Sequence, residues 1–379
     1  MRILVDATPV LLRSTGVKNF VYHWLLHLKA EAPPDFVSAF PSLRKLGHLD
    51  HLQSTLGRLP TLTRLLFVNF ANIRGNRSLD LLLDGRCDVF HASHHLVNPP
   101  RKPKLTATIF DMTCWLMPEM HTARNVTATK RYAERILRRA DGLIAISEST
   151  RNDAVRILGL REDTIQVIYP GVSQAFFETS DAARERVRQT YGMRKPYLLF
   201  VGCVEPRKNL ANVLDAWDLL PPALRRDMEL VVAGPLGWNS DRLALRLRQP
   251  GTGIRYLGYL PEEDLPAVMA EASVFLYPSY YEGFGFPVLE AMAAGTPVIT
   301  SNISSLPEIA GGAALLVDPN SAGEIADAVR QILLSPGLAE RLHTCGVKRA
   351  GQFQWSECAR QSLAFFQRIS SSGQGRTWG

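Results

Sequence analysis

The sequence predicts an α/β protein that contains two parallel sheets, each covered by helices. The first observation is that short apolar runs of strand length recur along the whole 379-residue chain. The second is that helical patterns lie between many of these runs, which is typical of parallel sheets that are buried on both faces. The third is the length, which exceeds one ordinary core and indicates two domains.

Eleven short runs have the length and apolar composition of strands, namely 3–5, 89–91, 105–110, 142–146, 165–168, 197–201, 229–233, 253–257, 274–277, 298–300 and 314–317. Helical patterns lie at 18–28, 127–139, 148–158, 210–219 and 265–271. The polar segment 180–191 is expected to form a connecting helix, and the amphipathic segment 355–369 a last helix that no strand follows. We therefore expect an N-terminal domain over 1–175, a C-terminal domain over 176–355, and a final helix with a Ser/Gly-rich tail over 356–379.

The positive charge of the chain lies in its first half. Residues 1–190 hold 26 Lys and Arg against 18 Asp and Glu, a net of +8, whereas residues 191–379 hold 17 against 18. Such asymmetry points to an anionic partner for the first half, either a membrane surface or a phosphorylated substrate. No nucleic acid is expected as a partner, because no helix-turn-helix, zinc-finger or RNA-binding pattern accompanies the charge. A solvated basic surface without function is the alternative.

Composition excludes several classes of protein. No run approaches the ~18 consecutive apolar residues that a membrane span needs. Asp6 falls where an export signal would need its apolar stretch. The five cysteines contain no C-x-x-C pair and are expected to be reduced thiols. These features predict a cytoplasmic protein.

The loops that follow the strands carry the chemistry, since ligands of open parallel sheets bind beyond the carboxyl ends of the strands. After the first strand, Gly16 opens a helix, where free N–H groups favour an anion. After 197–201, Gly202 is followed by Arg207 and Lys208 just before another helix. Two cations at this end of a helix are unfavourable for its dipole, which favours a diphosphate site over an exposed pair on a turn.

The segment 278–299 places two carboxylates around the start of a helix. Glu282 precedes the tight loop that Gly283 and Gly285 permit, and Glu290 falls just inside the following helix. Acids in a first helical turn stabilise the helix, which accounts for Glu290 but not for Glu282. A glycosidase that uses two carboxylates is disfavoured, because one of the two acids is expected in a crevice of the kind that binds nucleotides.

These residues resemble the signature of retaining glycosyltransferases of family four. Glu282 and Glu290 are separated by seven intervening residues in E-G-F-G-F-P-V-L-E-A-M-A-A-G-T-P-V-I, and residues 202–209 resemble the family's phosphate loop, G-x-x-x-P-R-K-N. Further matches lie at 14–17, 168–172, 233–235, 257–259 and 304–308, so the resemblance covers nearly the whole chain. It implies the GT-B fold, in which two Rossmann-like domains face each other across a cleft and the last helix crosses back to the first domain.

The resemblance also implies roles for individual residues. Glu290 would hold the ribose hydroxyls of a nucleotide, Glu282 would bind the transferred sugar, and Arg207 and Lys208 would neutralise the diphosphate. Asp111 is the candidate base in the first domain. The implied donor-binding set is Gly16, Gly202, Gly258, Tyr259, Gly283, Phe284, Gly285, Phe286, Leu289 and Glu290.

The sequence departs from the family at three positions. Cys203 stands where many members have arginine, and Pro287 removes an N–H that relatives offer to phosphate. Phe110-Asp111 stands where a His-Asp pair is common, so the usual histidine contact to the sugar is missing there. The candidates to replace it are His91, His94 and His95, each of which is as compatible with a packing or surface role.

The resemblance predicts a hexosyltransferase that needs no cofactor and, lacking a D-x-D motif, no metal. The donor would be a nucleotide sugar, with GDP-mannose ahead of UDP-sugars, and the acceptor a glycan or lipid-linked glycan of bacterial polysaccharide assembly. A GT-B nucleotide-sugar 2-epimerase or phosphorylase is the alternative. A dehydrogenase is disfavoured because G-x-G-x-x-G is missing, and intact Glu282, Arg207 and Lys208 argue against a non-catalytic scaffold.

A basic amphipathic run in the first domain suggests contact with the inner face of the plasma membrane. Residues 62–77 place Arg64, Arg74 and Arg77 among the apolar side chains of Leu65, Leu66, Phe67 and Phe70. Such a stretch is able to lie on an anionic leaflet as an interfacial helix. An ordinary helix packed on the sheet is the alternative.

Overall fold

The computed structural model describes residues 1–12, 16–43, 47–51, 53–73, 75–238 and 240–372. These form two compact units. The first consists of Met1–Gly171 together with the chain from Gln354 onward, and the second of Val172–Phe353. The domain borders expected at 175/176 and 355/356 lie within a few residues of these divisions.

The first unit contains a six-stranded parallel sheet in the order β2-β1-β3-β4-β5-β6. Its strands are β1 (Ile3–Asp6), β2 (Val37–Phe40), β3 (Val89–Ala92), β4 (Lys104–Ile109), β5 (Gly142–Ala145) and β6 (Ile165–Val167). Its helices include α1 (Gly16–Glu31), α2 (Arg58–Ala71), α3 (Ser78–Leu83), α4 (Thr113–Leu116), α5 (Ala123–Arg135) and α6 (Glu148–Leu158). The continuous burial of β3 and β5 reflects a sheet with helices on both faces.

The second unit repeats this architecture with the strand order β12-β11-β10-β7-β8-β9. Its strands are β7 (Tyr197–Val201), β8 (Glu229–Ala233), β9 (Ile254–Gly258), β10 (Val274–Tyr277), β11 (Val298–Ser301) and β12 (Leu315–Val317). Its helices are α7 (Asp181–Tyr191), α8 (Leu210–Leu219), α9 (Pro222–Asp227), α10 (Asp241–Leu247), α11 (Leu265–Ala270), α12 (Phe286–Ala293), α13 (Leu306–Ala310), α14 (Ala322–Leu334) and α15 (Pro336–Ala350). Apolar side chains of β7, β8 and β10 pack with Trp217 of α8 in the core.

The last helix, α16 (Trp355–Ser371), belongs to the first unit and packs on α1. The indole Nε1 of Trp24 donates a hydrogen bond of 2.9 Å to Ser362 Oγ, and the ring of Trp355 lies 5.8 Å from that of Phe20. Gly142 lets this helix approach β5, because a Cβ atom there would lie 2.6 Å from Ile369 Cδ1. The chain therefore leaves the first unit near Gly171 and returns to it with α16.

All eleven predicted strands are present, with ends shifted by no more than one residue. The strand that the sequence pattern missed is β2, whose four residues read Val-Ser-Ala-Phe and form an edge of the first sheet. The helix predicted over 127–139 begins earlier, at Ala123, because the Thr122 side chain accepts a hydrogen bond from Asn125 N and caps it.

Candidate active site

The predicted cations and Glu282 meet at the carboxyl edge of the second sheet. Arg207 and Lys208 follow β7, and Glu282 follows β10. These two strands are parallel neighbours, with Val274 opposite Leu198. Their carboxyl ends therefore open on the same edge, where ligands of such sheets bind.

Four charged side chains form a buried network at this edge. Arg207 Nη1 lies 2.9 Å from Glu282 Oε2, and Lys208 Nζ lies 2.6 Å from Glu282 Oε1. Arg207 Nη2 also contacts Glu205 Oε1 at 2.8 Å. The side chains of Arg207 and Lys208 are each 13% exposed. Two cations thus face two carboxylates in this network. The sequence analysis missed Glu205, which stands only two residues before Arg207.

The ion pairs control protonation in this network. Burial alone would raise the pKa of the Glu282 carboxyl, but the charges of Arg207 and Lys208 lower it to about 2. Burial and the neighbouring Arg207 lower the pKa of Lys208. Glu282 is therefore a carboxylate at neutral pH, a hydrogen-bond acceptor suited to sugar hydroxyls.

Asn209 joins the two loops that carry these groups. Its φ of +61° places it in the left-handed region, which Asn tolerates better than most residues. Its Nδ2 donates to the carbonyl of Pro278 at 2.8 Å and to that of Pro319 at 2.7 Å. A hydrogen bond also runs in the opposite direction, from Tyr280 N in the loop after β10 to the carbonyl of Arg207 at 3.0 Å. Asn209 thus holds Arg207 and Glu282 in a common frame.

The glycine-containing loop between Glu282 and α12 is braced from one side. Gly285 has a φ of +110°, and a Cβ atom on it would lie 2.8 Å from Leu306 Cδ2. Ser305 Oγ lies 2.9 Å from the carbonyl oxygen of Glu282 and 2.8 Å from that of Phe284. Gly283 and Phe284 are buried within this loop, and Phe286 begins α12. The loop is therefore a fixed structure whose conformation requires glycine at 285.

Glu290 lies in the second turn of α12. The helix begins at Phe286, so Glu290 is its fifth residue and no acid occupies the first turn. The interpretation that Glu290 stabilises the helix from its first turn is therefore wrong. Burial, with the charge of Glu262 second, raises the pKa of the Glu290 carboxyl to about 8. Leu289 beside it is buried. The raised pKa makes Glu290 a candidate functional residue.

The other predicted donor contacts lie at the ends of β7 and β9. Gly258 has a φ of +68° and accepts a hydrogen bond of 2.6 Å from Gly234 N, and Tyr259 beside it is half-buried. Gly202 has ordinary space around it, since a Cβ atom there would meet Phe200 and Tyr277 only at 3.8 Å. The position that sterically requires glycine is Gly234, where a Cβ atom would lie 1.9 Å from the carbonyl oxygen of Gly202.

In the first unit, Asp111 also lies just past the end of a strand, whereas Gly16 opens the helix that follows β1. Gly16 is the first residue of α1, and a Cβ atom on it would meet no other atom of the described chain within 4 Å. Asp111 follows β4, and its Oδ1 accepts hydrogen bonds from Thr113 N at 3.2 Å and Thr113 Oγ1 at 2.7 Å. Phe110 packs edge-on against Phe20 with centroids 5.3 Å apart. Ser14 and Thr15 of the predicted match lie outside the described residues.

The three candidate histidines differ in their surroundings. His91 is fully buried, and its two ring nitrogens lie 3.0 Å from Thr106 Oγ1 and 2.9 Å from Thr108 Oγ1. It is a packing histidine, whose pKa burial lowers to about 3. His94 and His95 are half-buried in the loop after β3. Burial, and then the neighbouring His95, lower the pKa of His94 to about 4, so both rings of this pair are neutral near pH 7.

Buried Asp6, which the sequence analysis did not single out, holds this loop. Its Oδ2 accepts hydrogen bonds from Ser93 N at 3.3 Å and Leu96 N at 3.4 Å, on either side of His94. His94 itself has a φ of +83°, which is rare for a non-glycine residue. Its ring lies 5.1 Å from that of Tyr132. The signal for Asp6 in the sequence was an acidic residue at the end of an apolar strand.

Comparisons with known proteins agree with this geometry. Residues 181–349 match the family described as "Glycosyl transferases group 1", and residues 15–176 match "Glycosyltransferase Family 4". The O-antigen chain mannosyltransferase B of Escherichia coli is 31% identical over 385 residues, which cover 97% of this chain and 100% of that protein.

Solved structures share the architecture. Sucrose-phosphate synthase from Thermosynechococcus elongatus superposes with a TM-score of 0.75 at 20% identity, covering 98% of this chain and 100% of that chain. The Anabaena protein Alr3699/HepE, solved in complex with UDP-glucose, gives a TM-score of 0.71 at 19% identity and covers 97% and 100% of the two chains.

The chain therefore belongs to the group 1 glycosyltransferases of family four, which are retaining enzymes with the GT-B fold. It is a hexosyltransferase. In the part of the chain that the structure describes, no three His, Cys, Asp or Glu side chains are placed to hold a metal ion. Metal-independent transfer stays a prediction.

Proposed function

We propose that this enzyme transfers mannose from GDP-mannose to a glycan or lipid-linked glycan during assembly of a bacterial polysaccharide. A UDP-sugar is the second candidate donor. The observation that carries the proposal is the buried network of Arg207, Lys208 and Glu282 at the carboxyl edge of the second sheet. The name of the E. coli relative, a mannosyltransferase of the O-antigen chain, supports the choice of sugar and pathway.

The network suits a diphosphate leaving group. Breaking the bond between sugar and diphosphate places negative charge on the departing phosphate, and fixed cations aimed at it lower the barrier. Before any ligand arrives, Arg207 is held by Glu282 and by the carbonyl of Tyr281, and Lys208 is held by Glu282. These two cations therefore need little rearrangement when the charge develops. In the same site, Glu282 accepts hydrogen bonds from the sugar hydroxyls and Glu290 from the ribose hydroxyls.

The first unit is proposed to bind the acceptor. In a front-face reaction the departing phosphate takes the acceptor proton, and Asp111 is the alternative base for that proton in this unit. Among the three histidines, we assign the missing sugar contact to His94. The ring of His91 is enclosed by Thr106 and Thr108, whereas Asp6 holds the loop that carries His94. Asp111→Asn should slow transfer without changing nucleotide affinity. Wild-type transfer by this variant would remove Asp111 from the chemistry.

The choice of donor is tested by a screen of GDP-, UDP-, ADP- and dTDP-sugars in thermal-shift and slow-hydrolysis assays. GDP-mannose should give the largest rise in Tm and the fastest release of free sugar, since a ligand that binds only the folded state stabilises it. A larger response to a UDP-sugar would identify that UDP-sugar as the donor in place of GDP-mannose. Conversion of the UDP-sugar to an isomer would indicate the epimerase, and cleavage that depends on added phosphate the phosphorylase.

Metal independence is tested in the same assay. Arg207 and Lys208 supply the positive charge that a divalent metal provides elsewhere. Hydrolysis of the donor should therefore be unchanged after treatment with EDTA. A loss of activity that Mg²⁺ or Mn²⁺ restores would contradict the proposal.

We also place this enzyme at the cytoplasmic face of the plasma membrane, as a peripheral protein. Among the described residues, no helix has the length and apolarity to cross a bilayer. The net charge of +8 over residues 1–190 favours an anionic leaflet. Recovery of the protein in the membrane fraction at low salt, and its release at high salt, is the expected result; a protein that never sediments with membranes would contradict it.

A further inference from the structure

Helix α2 of the first unit carries apolar side chains on two opposite sides. Val68 and Ala71 are buried against the unit. On the outer side, five apolar side chains spaced three or four residues apart are between 52% and 71% exposed, namely Leu59, Leu62, Leu66 and Phe70 of the helix and Ile73 just past its end. This spacing aligns them in one row along the helix, which we call the α2 stripe. Soluble monomers seldom expose a contiguous apolar row of this kind without a binding partner.

The structure changes which residues of the basic run face outward. Leu65 and Phe67 are half-buried rather than members of the α2 stripe. Arg64 turns back to the protein, where its Nε and Nη2 donate to the carbonyl of Ser42 at 3.1 and 3.0 Å. Arg77 lies beyond the helix and pairs with Asp80 at 3.2 Å, and Arg74 lies outside the described residues. Of the cations predicted to meet a membrane, Arg64 and Arg77 are thus engaged elsewhere.

The cations beside the α2 stripe come from α5 instead. Arg131 Nη2 donates a hydrogen bond of 3.3 Å to the carbonyl of Asn72, at the carboxyl end of α2. Arg124 and Lys130 are exposed on the same helix. Residues 123–139 hold six Lys and Arg against one Glu. An apolar row with Arg131 at one end, and further exposed cations on the helix that carries Arg131, has the composition of an interfacial membrane-binding surface.

We propose that the α2 stripe, together with the exposed cations of α5, binds the surface of an anionic lipid bilayer. The apolar side chains would enter the boundary between headgroups and acyl chains, and the cations would meet the anionic headgroups. A second copy of this chain is a poorer occupant, because pairing the same face of two molecules would bring two α5 helices of like charge together.

The α2 stripe is attached to the part of the first unit that faces the acceptor. Asn72 Nδ2 donates to the carbonyl of His95 at 3.0 Å, and Asn72 Oδ1 accepts from Val97 N at 2.9 Å. Asn98 Nδ2 donates to the carbonyl of Ala71 at 3.0 Å. The end of α2 is thus fixed to the loop after β3 that carries His94. This part of the inference rests on the proposed function, since it places the membrane next to the edge that would receive a lipid-linked acceptor.

The test compares two triple variants of the full chain in vesicle co-sedimentation. Leu62→Ser/Leu66→Ser/Phe70→Ser removes the centre of the α2 stripe. Its matched control, Leu219→Ser/Leu245→Ser/Leu334→Ser, removes three leucines of the second unit that are 60%, 71% and 72% exposed. The vesicles are phosphatidylcholine with and without phosphatidylglycerol.

We expect wild type and control to bind the phosphatidylglycerol vesicles and to dissociate as salt is raised. The stripe variant should bind about tenfold or more weakly, because each lost side chain removes apolar surface from the lipid boundary. Arg124→Glu/Lys130→Glu should lose the preference for phosphatidylglycerol. Equal binding by the stripe variant and wild type would overturn the proposal. The proposal would also be overturned if sedimentation velocity showed a dimer for wild type and for the control variant but a monomer for the stripe variant.

Thermal shift with the nucleotide sugar separates this proposal from the proposed function. The stripe variant should keep the Tm of wild type and its response to donor, because the substituted side chains face solvent. Failure of every donor to shift wild type, with vesicle binding intact, would reject the proposed donor and leave the membrane surface standing.

Discussion

Glu290 is the single residue whose predicted role gives the clearest test. Its carboxyl has a pKa raised to about 8, which is typical of functional sites. Glu290→Gln should weaken nucleotide binding while turnover at saturating donor stays largely unchanged, because a ribose contact exists in both the ground state and the transition state. Titration calorimetry with GDP and saturation kinetics measure the two effects. Lost turnover with unchanged affinity would contradict the assignment to ribose.

The same substitution should change how the stability of the ligand-free protein depends on pH. The pKa of Glu290 is raised from 4.5 in the unfolded chain to about 8 in the folded one. Its protonated form therefore stabilises the fold fully below about pH 4.5, and this contribution is lost as the pH rises through about 8. Glutamine cannot ionise, so the variant should gain in Tm relative to wild type, by a few degrees, between about pH 5 and pH 9. Parallel Tm curves for the two proteins would contradict the raised pKa of the Glu290 carboxyl.

At the scale of elements, the packing of one loop against another decides where glycine is needed. The loop after β8 approaches the loop after β7 so closely that a Cβ atom at Gly234 would overlap the Gly202 carbonyl, whereas Gly202 has space for a Cβ atom. Gly234→Ala should lower the free energy of unfolding by about 1–3 kcal/mol, because its φ of +133° and the 1.9 Å approach both oppose a side chain. Gly202→Ala is the matched control and should stay within about 1 kcal/mol of wild type. Urea denaturation measures both, and an equal loss in the two variants would contradict this account.

Elements differ in how well sequence predicts them, for physical reasons. Buried strands such as β7 and β10 are apolar on both faces and keep their predicted bounds. β2 is a short edge strand with Ser38 exposed, so it lacks that pattern. The run over 62–77 was expected to be one amphipathic stretch, but α2 ends at Ala71 and α3 begins at Ser78. Hydrogen bonds from the distant Asn98 fix this end, and they leave no local signal.

At the scale of the whole molecule, the sequence predicted which charged groups come together better than how they are held. Arg207, Lys208 and Glu282 were identified from loops that follow strands, and parallel pairing of β7 and β10 brings them together. Glu205, Asn209 and Asp6 were missed, because their importance lies in contacts across loops. The order of strands in a sheet, which decides those contacts, follows from tertiary packing and not from local pattern.

The central claim is that Arg207 and Lys208 stabilise the leaving group, and single-turnover cleavage of the donor at saturating concentration tests it most directly. Arg207→Ala and Lys208→Ala should each slow cleavage by roughly 10²–10³, and the double variant by less than the product, because neighbours that share a ligand are not additive. Arg194→Ala and Lys195→Ala are matched controls, an exposed Arg-Lys pair just before the amino end of β7. They should cleave at the wild-type rate. Near wild-type rates in both Arg207→Ala and Lys208→Ala would remove this loop from the active site.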